Sequence, residues 1–200
     1  MLQNNHKTTN LTAKTSTSLL KKYKNKTVLR KLGGVQMPNW CKGNLKIRGK
    51  KENIIKFLKE GTSLLDGFWE PKEIKPEIEI NDYDEIEIKN INKEKGIDCL
   101  YLNGTRRHFI NPIENEIYIY DTAEEEQIIC LENFKAAWRI DADSLREISA
   151  MYNIDIKIYG FERGMEFNQD IEIIKGKIIK DETIEFQNYQ WECIEPNIGG

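Results

Sequence analysis

Short segments in which apolar and polar residues strictly alternate recur along this chain, and they constrain its fold more than any other feature. The first is "NWCKGNLKIRG" at 39–49, where Cys41, Leu45 and Ile47 point one way while Lys42 and Lys46 point the other. Similar alternation occurs in "NIDIKIYGFE" at 153–162 and in "DIEIIKGKIIK" at 170–180. A period of two predicts half-buried strands, with Cys41 on the apolar side as a structural residue.

Two segments have helical periodicity instead. "KKENIIKFLKEG" at 50–61 carries an apolar stripe and ends at a glycine that suits a C-terminal cap. A second helix is predicted over 141–152, with Asp141 or Ser144 as its N-cap. The order strand, helix, several strands, helix, strand, strand is typical of an α+β fold. We therefore expect a ferredoxin-like split β-α-β sandwich with inserted β-hairpins, a topology that implies no iron–sulfur cluster.

Several hairpins are predicted between the two halves. "IDCLYLNGTRRHFI" at 97–110 contains Asn103–Gly104, a strong two-residue turn signal, followed by the basic triplet at 106–108. That triplet is either a phosphate site or ordinary surface. "EIYIYD" at 116–121 and "QIICLENF" at 127–134 predict two more strands, and "NYQWECIEPNIGG" at 188–200 predicts a short strand and a loose terminus.

Residues 62–98 form an acidic insertion with two prolines, so any strand there is short or at an edge. The isoleucines at 78, 80, 86 and 88 alternate with acids, which predicts a hairpin around 81–84. Four glutamates follow this alternation: Glu77, Glu79, Glu85 and Glu87. They are either a surface that imitates nucleic-acid phosphates or the solvent side of an ordinary strand pair.

Charge divides the chain into two regions. Residues 1–36 hold eight of the 30 basic residues and none of the 33 acidic ones, so 37–200 have 22 bases, 33 acids and a net charge of −11. The basic, low-complexity segment 1–36 has three interpretations: an over-called start, a disordered tail able to bind nucleic acid, or a targeting peptide. Residues 37–200 are expected to form one domain.

Composition excludes several classes of site. The four cysteines are widely spaced, there are only two histidines, and no zinc-like spacing occurs, so we expect no metal and no cofactor. No nucleophile elbow, phosphate loop or histidine-paired nucleophile is present, and a Glu162–Glu166 carboxylate pair is weak support for catalysis. We expect a non-enzyme. Without a secretory signal or a membrane-length apolar run, a cytoplasmic location and no membrane partner are expected.

The opening of the predicted domain carries a family resemblance. "MPNWC" at 37–41, followed by Asn44, Leu45, Ile47 and Gly49, is similar to the start of the Api-ninety-two-like proteins of phages and plasmids. "FKAAW" at 134–138 and "YGFERGMEF" at 159–167 are similar to that family's closing block. The middle of the chain matches poorly, and no catalytic residues come with the resemblance. It implies a ferredoxin-like domain, a mobile-element origin and a bacterial cytoplasm, with Asn39, Trp40, Trp138 and Glu162 as candidate binding residues or as core.

Two functional hypotheses follow. The first is a non-enzymatic accessory protein of a phage, prophage or plasmid that binds a host or defence protein, such as an anti-CRISPR or anti-restriction factor. Its acidic segment would compete with DNA for basic channels. The second is a nucleic-acid-binding protein that uses the basic tail and aromatic residues on a sheet.

Overall fold

The computed structural model describes residues 38–66, 72–92, 94, 97, 99–111, 116–121 and 125–200. The predictions for residues 1–36 lie outside this part of the chain. The strands, in chain order, are β1 (Trp40–Gly49), β2 (Thr62–Asp66), β3 (Lys72–Ile74), β4 (Ile78–Ile80), β5 (Ile86–Ile88), β6 (Leu100–Leu102), β7 (His108–Ile110), β8 (Gln127–Ala137), β9 (Asp155–Glu162), β10 (Phe167–Ile174) and β11 (Lys177–Glu185). The helices are α1 (Lys51–Glu60), α2 (Ala142–Tyr152) and α3 (Tyr189–Glu192).

One antiparallel sheet of nine strands organises the described residues. Its order is β11-β10-β9-β1-β8-β7-β6-β2-β3, and β4 and β5 form a separate pair. The centre is β1, which pairs with β8 along one side and with β9 along the other. An extended segment at 116–120 makes only an isolated bridge, between Glu85 and Tyr118.

Helices α1 and α2 cover one face of this sheet. Alternate residues of β1 are buried beneath them, among them Leu45 and Ile47, as the sequence alternation predicts. The two helices also contact each other, with the Phe57 and Tyr152 rings 5.7 Å apart edge to face. The opposite side of the sheet carries the polar members of the alternation and is called the open face below. It is covered locally at Asn168 of β10, where Tyr189 of α3 and Cys193 pack.

The predicted fold class is wrong. The chain is mostly β, and its large antiparallel sheet with few short helices is not a ferredoxin-like α+β split sandwich. The predicted insertions are the physical reason, because they are not peripheral. Hairpin β6–β7 lies inside the sheet between β8 and β2, and β2 and β3, from the predicted acidic insertion, form one edge of the same sheet.

Most predicted elements are present nonetheless. The strand at 40–49, both helices and the hairpins β4–β5 and β10–β11 are confirmed, and the Asp141 carboxylate caps α2 by accepting the Ser144 N–H at 3.3 Å. Three local predictions are wrong. The segment 116–121 does not form the predicted strand and makes only the isolated Glu85–Tyr118 bridge. The β6–β7 connection has five residues, 103–107, instead of a two-residue turn, and the predicted C-terminal strand is instead α3.

Candidate functional site

A row of aromatic and basic side chains crosses five neighbouring strands on the open face. In register order it consists of Tyr101, Phe109, Lys135, Lys42 and Phe161, each the direct cross-strand partner of the next. Direct partners share a face of the sheet, and Lys42 lies on the side opposite the buried Cys41. With strands about 4.8 Å apart, the row is about 19 Å long.

Trp40 flanks the row and organises its cations. Its ring contacts Phe109 edge to face at 5.9 Å between centroids. The Lys135 ammonium lies 5.3 Å from the Trp40 centroid and 5.8 Å from that of Phe109, and the Arg107 guanidinium lies 5.8 Å from Trp40. Contacts of this kind hold a cation by the electron-rich ring face without neutralising its charge. We call Trp40 and the five residues above the aromatic–basic row.

The cations of the row differ from other cations on the same face. Lys157 pairs with Glu172 at 3.2 Å and Lys180 pairs with Asp170 at 2.7 Å. Lys42 and Lys135 make no ion pair with any carboxylate in the described part of the chain. Their positive charge is therefore available to an external anion, although the domain as a whole is acidic.

The β6–β7 loop positions Arg107 over Trp40. Arg107 has a φ of +60°, in the left-handed region that non-glycine residues rarely adopt, and its carbonyl accepts the Ala137 N–H at 3.1 Å. The Thr105 hydroxyl donates to the Leu102 carbonyl at 2.7 Å, and the Tyr101 hydroxyl donates to the Thr105 carbonyl. Partial burial raises the pKa of Tyr101, so it stays an uncharged phenol. A strained residue held by several bonds is frequent at functional sites.

The basic triplet is divided by the fold. Arg106 and Arg107 are exposed, but His108 is fully buried against the Phe134 ring, with centroids 5.6 Å apart. Burial lowers the pKa of His108 to about 4, so its imidazole is neutral near pH 7. A phosphate site that uses all three side chains is excluded by this geometry.

Four predicted binding residues meet at one end of the sheet. The Trp138 N–H donates to the Asn39 carbonyl at 2.8 Å, and Trp40 is the register partner of Ala137. The Asn39 amide lies directly over Gly164 and leaves no room for a Cβ there. The fully buried Glu162 carboxylate accepts the N–H groups of Gly164, at 3.1 Å, and of Met165. The Glu162 bonds close the β9–β10 turn, and the Asn39 amide packs against Gly164 of that turn.

Trp138 is the member of this group that solvent reaches. It is 39% exposed and has a φ of +72°. It borders a cavity of about 500 Å³ that Arg106 and Arg139 share with three carboxylates: Asp141, Asp143 and Asp181. This mixed charge makes the cavity a poorer phosphate site than the aromatic–basic row.

The predicted acidic residues lie apart from that group, on hairpin β4–β5. Lys89 pairs with Glu79 at 3.6 Å and also with Glu87. The Asn81 amide donates to Glu87 at 2.8 Å and to Glu85 at 3.1 Å, while Glu77 is exposed. The Lys89 hydrogen bond is the main cause that lowers the pKa of Glu87. One lysine therefore offsets part of the charge that the sequence shows between 76 and 88.

Sequence reasoning missed most of the aromatic–basic row. Trp40 was a candidate, but Lys42, Tyr101, Phe109, Lys135 and Phe161 were not. The available signal was the outward position of each residue in its own alternating strand. The register that aligns the strands is absent from any single segment.

Three further features of the described residues concern the Cys41 thiol, groups of metal-ligating side chains and helices long enough to cross a membrane. Burial, reinforced by the Glu162 charge, raises the pKa of Cys41 to about 12, which agrees with a structural thiol. No group of three or more metal-ligating side chains is found in the described ranges. None of the described helices is long and apolar enough to cross a membrane.

Comparisons with protein-family models, with curated proteins and with solved structures gave no match. The similarity to the Api-ninety-two-like proteins therefore stays a prediction.

Proposed function

We propose that this protein binds single-stranded nucleic acid on the open face of its nine-stranded sheet. The observation that carries the proposal is the aromatic–basic row, in which two lysines that pair with no described carboxylate lie between aromatic rings on neighbouring strands. Lysines attract backbone phosphates, and aromatic rings stack on bases of any sequence. A pair of lysines with aromatic rings on either side of it can therefore contact both the phosphates and the bases of one strand.

The exposed ring surfaces favour a single strand over a duplex. Phe109 and Phe161 lie on either side of Lys135 and Lys42 and are each half-buried, so each keeps some surface for a base. Bases in a duplex are stacked on each other and cannot offer their faces to such rings. Trp40 already carries two cations over its ring, so we assign it to holding Arg107 and Lys135 in place.

Residues 1–36 add to this proposal through their charge of +8, which follows from eight bases and no acids. Their contribution is non-specific attraction to phosphate, whatever the sequence of the nucleic acid.

The test is the salt dependence of binding to a fluorescein-labelled oligothymidylate, measured by anisotropy on the full chain. Each cation that contacts a phosphate of a single strand contributes about −0.7 to the slope of log K against log salt. The double variant Lys42→Gln/Lys135→Gln should reduce the slope by about 1.4. The matched control Lys157→Gln/Lys180→Gln removes two lysines from the same face that already have carboxylate partners.

A slope that changes equally in both double variants would show that binding follows total charge and not the row. Absence of any binding at low salt would overturn the proposal outright.

Binding of a host or defence protein through the acidic segment is a second candidate function, which we propose as the sequence predicts it. The exposed Glu77 and Glu79 on hairpin β4–β5 are its structural support, although Lys89 and Asn81 compensate part of the segment. The proposed partner is a host or defence protein in a bacterial cytoplasm. Replacing Glu77, Glu79, Glu85 and Glu87 by Gln should weaken capture of that partner, and unchanged capture would count against the idea.

A further inference from the structure

A second surface lies beside β8, displaced along that strand from Lys135 of the aromatic–basic row. It is a groove of about 560 Å³ between the extended segment 116–120 and β8, with the buried Ile117 and Ile129 at its base. Its walls are Glu116, Tyr118, Tyr120, Ile128, Cys130 and Glu132. We call these six residues the acidic groove.

The backbone of Tyr118 faces this groove. Segment 116–120 is bound on its other side, where the Ile86 N–H donates to the Ile117 carbonyl at 2.7 Å and the Ile119 N–H donates to the Asp84 carbonyl at 2.8 Å. Both hydrogen bonds are made by the residues that flank Glu85 and Tyr118, and none joins Glu85 to Tyr118 directly. These two residues are therefore a non-hydrogen-bonded antiparallel pair. The N–H and C=O of Tyr118 therefore point away from Glu85 and toward the groove.

The Gln127 side chain binds the backbone of Tyr120, which faces the same side of the segment as Tyr118. The Tyr120 N–H donates to the Gln127 side-chain oxygen at 2.8 Å, and the Gln127 side-chain nitrogen donates to the Tyr120 carbonyl at 2.7 Å. The primary amide thus imitates the peptide group of a neighbouring strand. Among the described residues none does the same for Tyr118, two positions earlier on the same side, so this ladder position has no described backbone partner.

Charge and apolar surface define the chemistry of an added strand. Glu116 raises the pKa of Tyr118, and Glu85 adds to this effect, which indicates a negative potential at that wall. Ile128 is 67% exposed and Tyr120 is 56% exposed, so apolar surface and acidic side chains both border the opening. A segment with alternating basic and apolar side chains is complementary to this arrangement.

We propose that the acidic groove binds an extended, basic segment of a partner protein as an added strand. Backbone hydrogen bonds to Tyr118 give the pairing, lysine or arginine side chains lie on the exposed side with Glu116 and Glu85, and the alternating apolar side chains point to the buried Ile117 and Ile129. Addition of a strand to an exposed edge is a recurrent mode of peptide recognition. None of the groove residues belongs to the aromatic–basic row, so this inference is independent of nucleic-acid binding.

The test uses the full chain and a fluorescein-labelled peptide of alternating lysine and valine, with anisotropy as the readout. Two control peptides are matched to it: one has glutamate in place of lysine, and one keeps lysine but is N-methylated at alternate residues. N-methylation removes backbone donors and retains charge, so it should weaken binding about tenfold if strand pairing occurs. The glutamate peptide should not bind.

Two protein variants locate the site. Ile128→Lys places a cation and a longer side chain at the groove and should weaken the lysine–valine peptide at least tenfold. Ile194→Lys makes the same chemical change at an isoleucine that is 90% exposed and lies outside the groove, and it should leave affinity unchanged.

Several results would overturn the inference. Equal affinity for the N-methylated peptide would show attraction by charge alone, and equal effects of the two lysine variants would place the peptide elsewhere. Absence of binding by the lysine–valine peptide would also reject it. Concentration-dependent self-association that Ile128→Lys abolishes would assign the groove to a second copy of this chain instead. Oligothymidylate binding that survives Ile128→Lys would show that the two surfaces act separately.

Discussion

His108 allows a quantitative test of how completely the core excludes charge. Its ring is fully buried, and its Nε2 accepts the Asp141 N–H at 3.3 Å, which leaves the proton on Nδ1. Among the described residues Nδ1 has no hydrogen-bond partner of good geometry. Burial lowers the pKa of His108 to about 4, and the nearby Asp141 carboxylate and Arg139 carbonyl offset only part of this effect.

The sign of the pH effect follows from these values. An unfolded histidine has a pKa of about 6.5, so between pH 6.5 and 4 the unfolded chain binds a proton that the folded chain does not. The stabilisation that comes from keeping His108 neutral is fully present above pH 6.5. It decreases as the pH is lowered toward 4, and below pH 4 His108 causes little further loss of stability. A difference of about 2.5 pKa units corresponds to a loss of about 3 kcal/mol in the free energy of unfolding.

The assay is urea unfolding of the full chain at a series of pH values, for the native sequence and for His108→Gln. Carboxylates also titrate in this range, so the informative quantity is the difference between the two curves. That difference should change by about 3 kcal/mol between pH 7 and pH 4, in favour of the variant at low pH. Parallel curves for the native chain and His108→Gln would refute the argument.

Two further predictions concern the sheet and its proposed ligand. Gly43→Ala would place a Cβ against the Tyr159 carbonyl, forcing β1 and β9 apart at a loss of about 1–3 kcal/mol in urea unfolding. Gly104→Ala meets no atom within 4 Å and should lose only about 1 kcal/mol, from its φ of +83°, so equal losses would contradict the packing argument. Phe161→Ala should weaken oligothymidylate binding by about 1–3 kcal/mol, the usual contribution of one stacked base, when anisotropy is measured. Phe186→Ala, a ring outside the row, is its control, and equal weakening by both would remove Phe161 from the interface.

Local patterns predicted elements well because their causes are local. Alternation in 40–49 needs only one buried face, and the helix at 142–152 needs only its cap and its apolar stripe. The C-terminal prediction failed for a physical reason of the same kind. Asn188 caps α3 by accepting the Trp191 N–H at 3.2 Å, and the Tyr189 hydroxyl donates to the buried Asn168 at 3.0 Å. These two bonds outweigh the strand preference of the aromatic residues in "NYQWE".

The order of the strands in the sheet and the aromatic–basic row cannot be predicted from separate segments of the sequence. Hairpin β6–β7 was identified, but its place between β8 and β2 depends on the pairing of Phe109 with Lys135, 26 positions apart in the numbering. The row depends on the same pairing, because Tyr101 and Phe161 become neighbours of lysines only through register. The sequence singles out Trp40 and the basic triplet at 106–108 separately. Nothing in it indicates that the Arg107 guanidinium lies over the Trp40 ring.

One of the two proposed surfaces is basic and the other is acidic. This separation of charge explains how a domain with a net negative charge can carry the proposed anion site. Lys135 and Ile128 lie on the same strand, β8, seven residues apart, which corresponds to about 23 Å along the strand. The Debye length at physiological ionic strength is about 8 Å, so Ile128 is about three screening lengths from Lys135, whereas Glu132, three residues from Lys135 on the same strand, is about one. The net charge of residues 37–200 is therefore a poor guide to the potential that a ligand meets at either surface. At about 0.01 M salt the Debye length of about 30 Å exceeds this separation, and the acids then repel a polyanion bound at the row. The gain in affinity on lowering the salt should accordingly level off, whereas a uniformly basic surface would show a straight dependence.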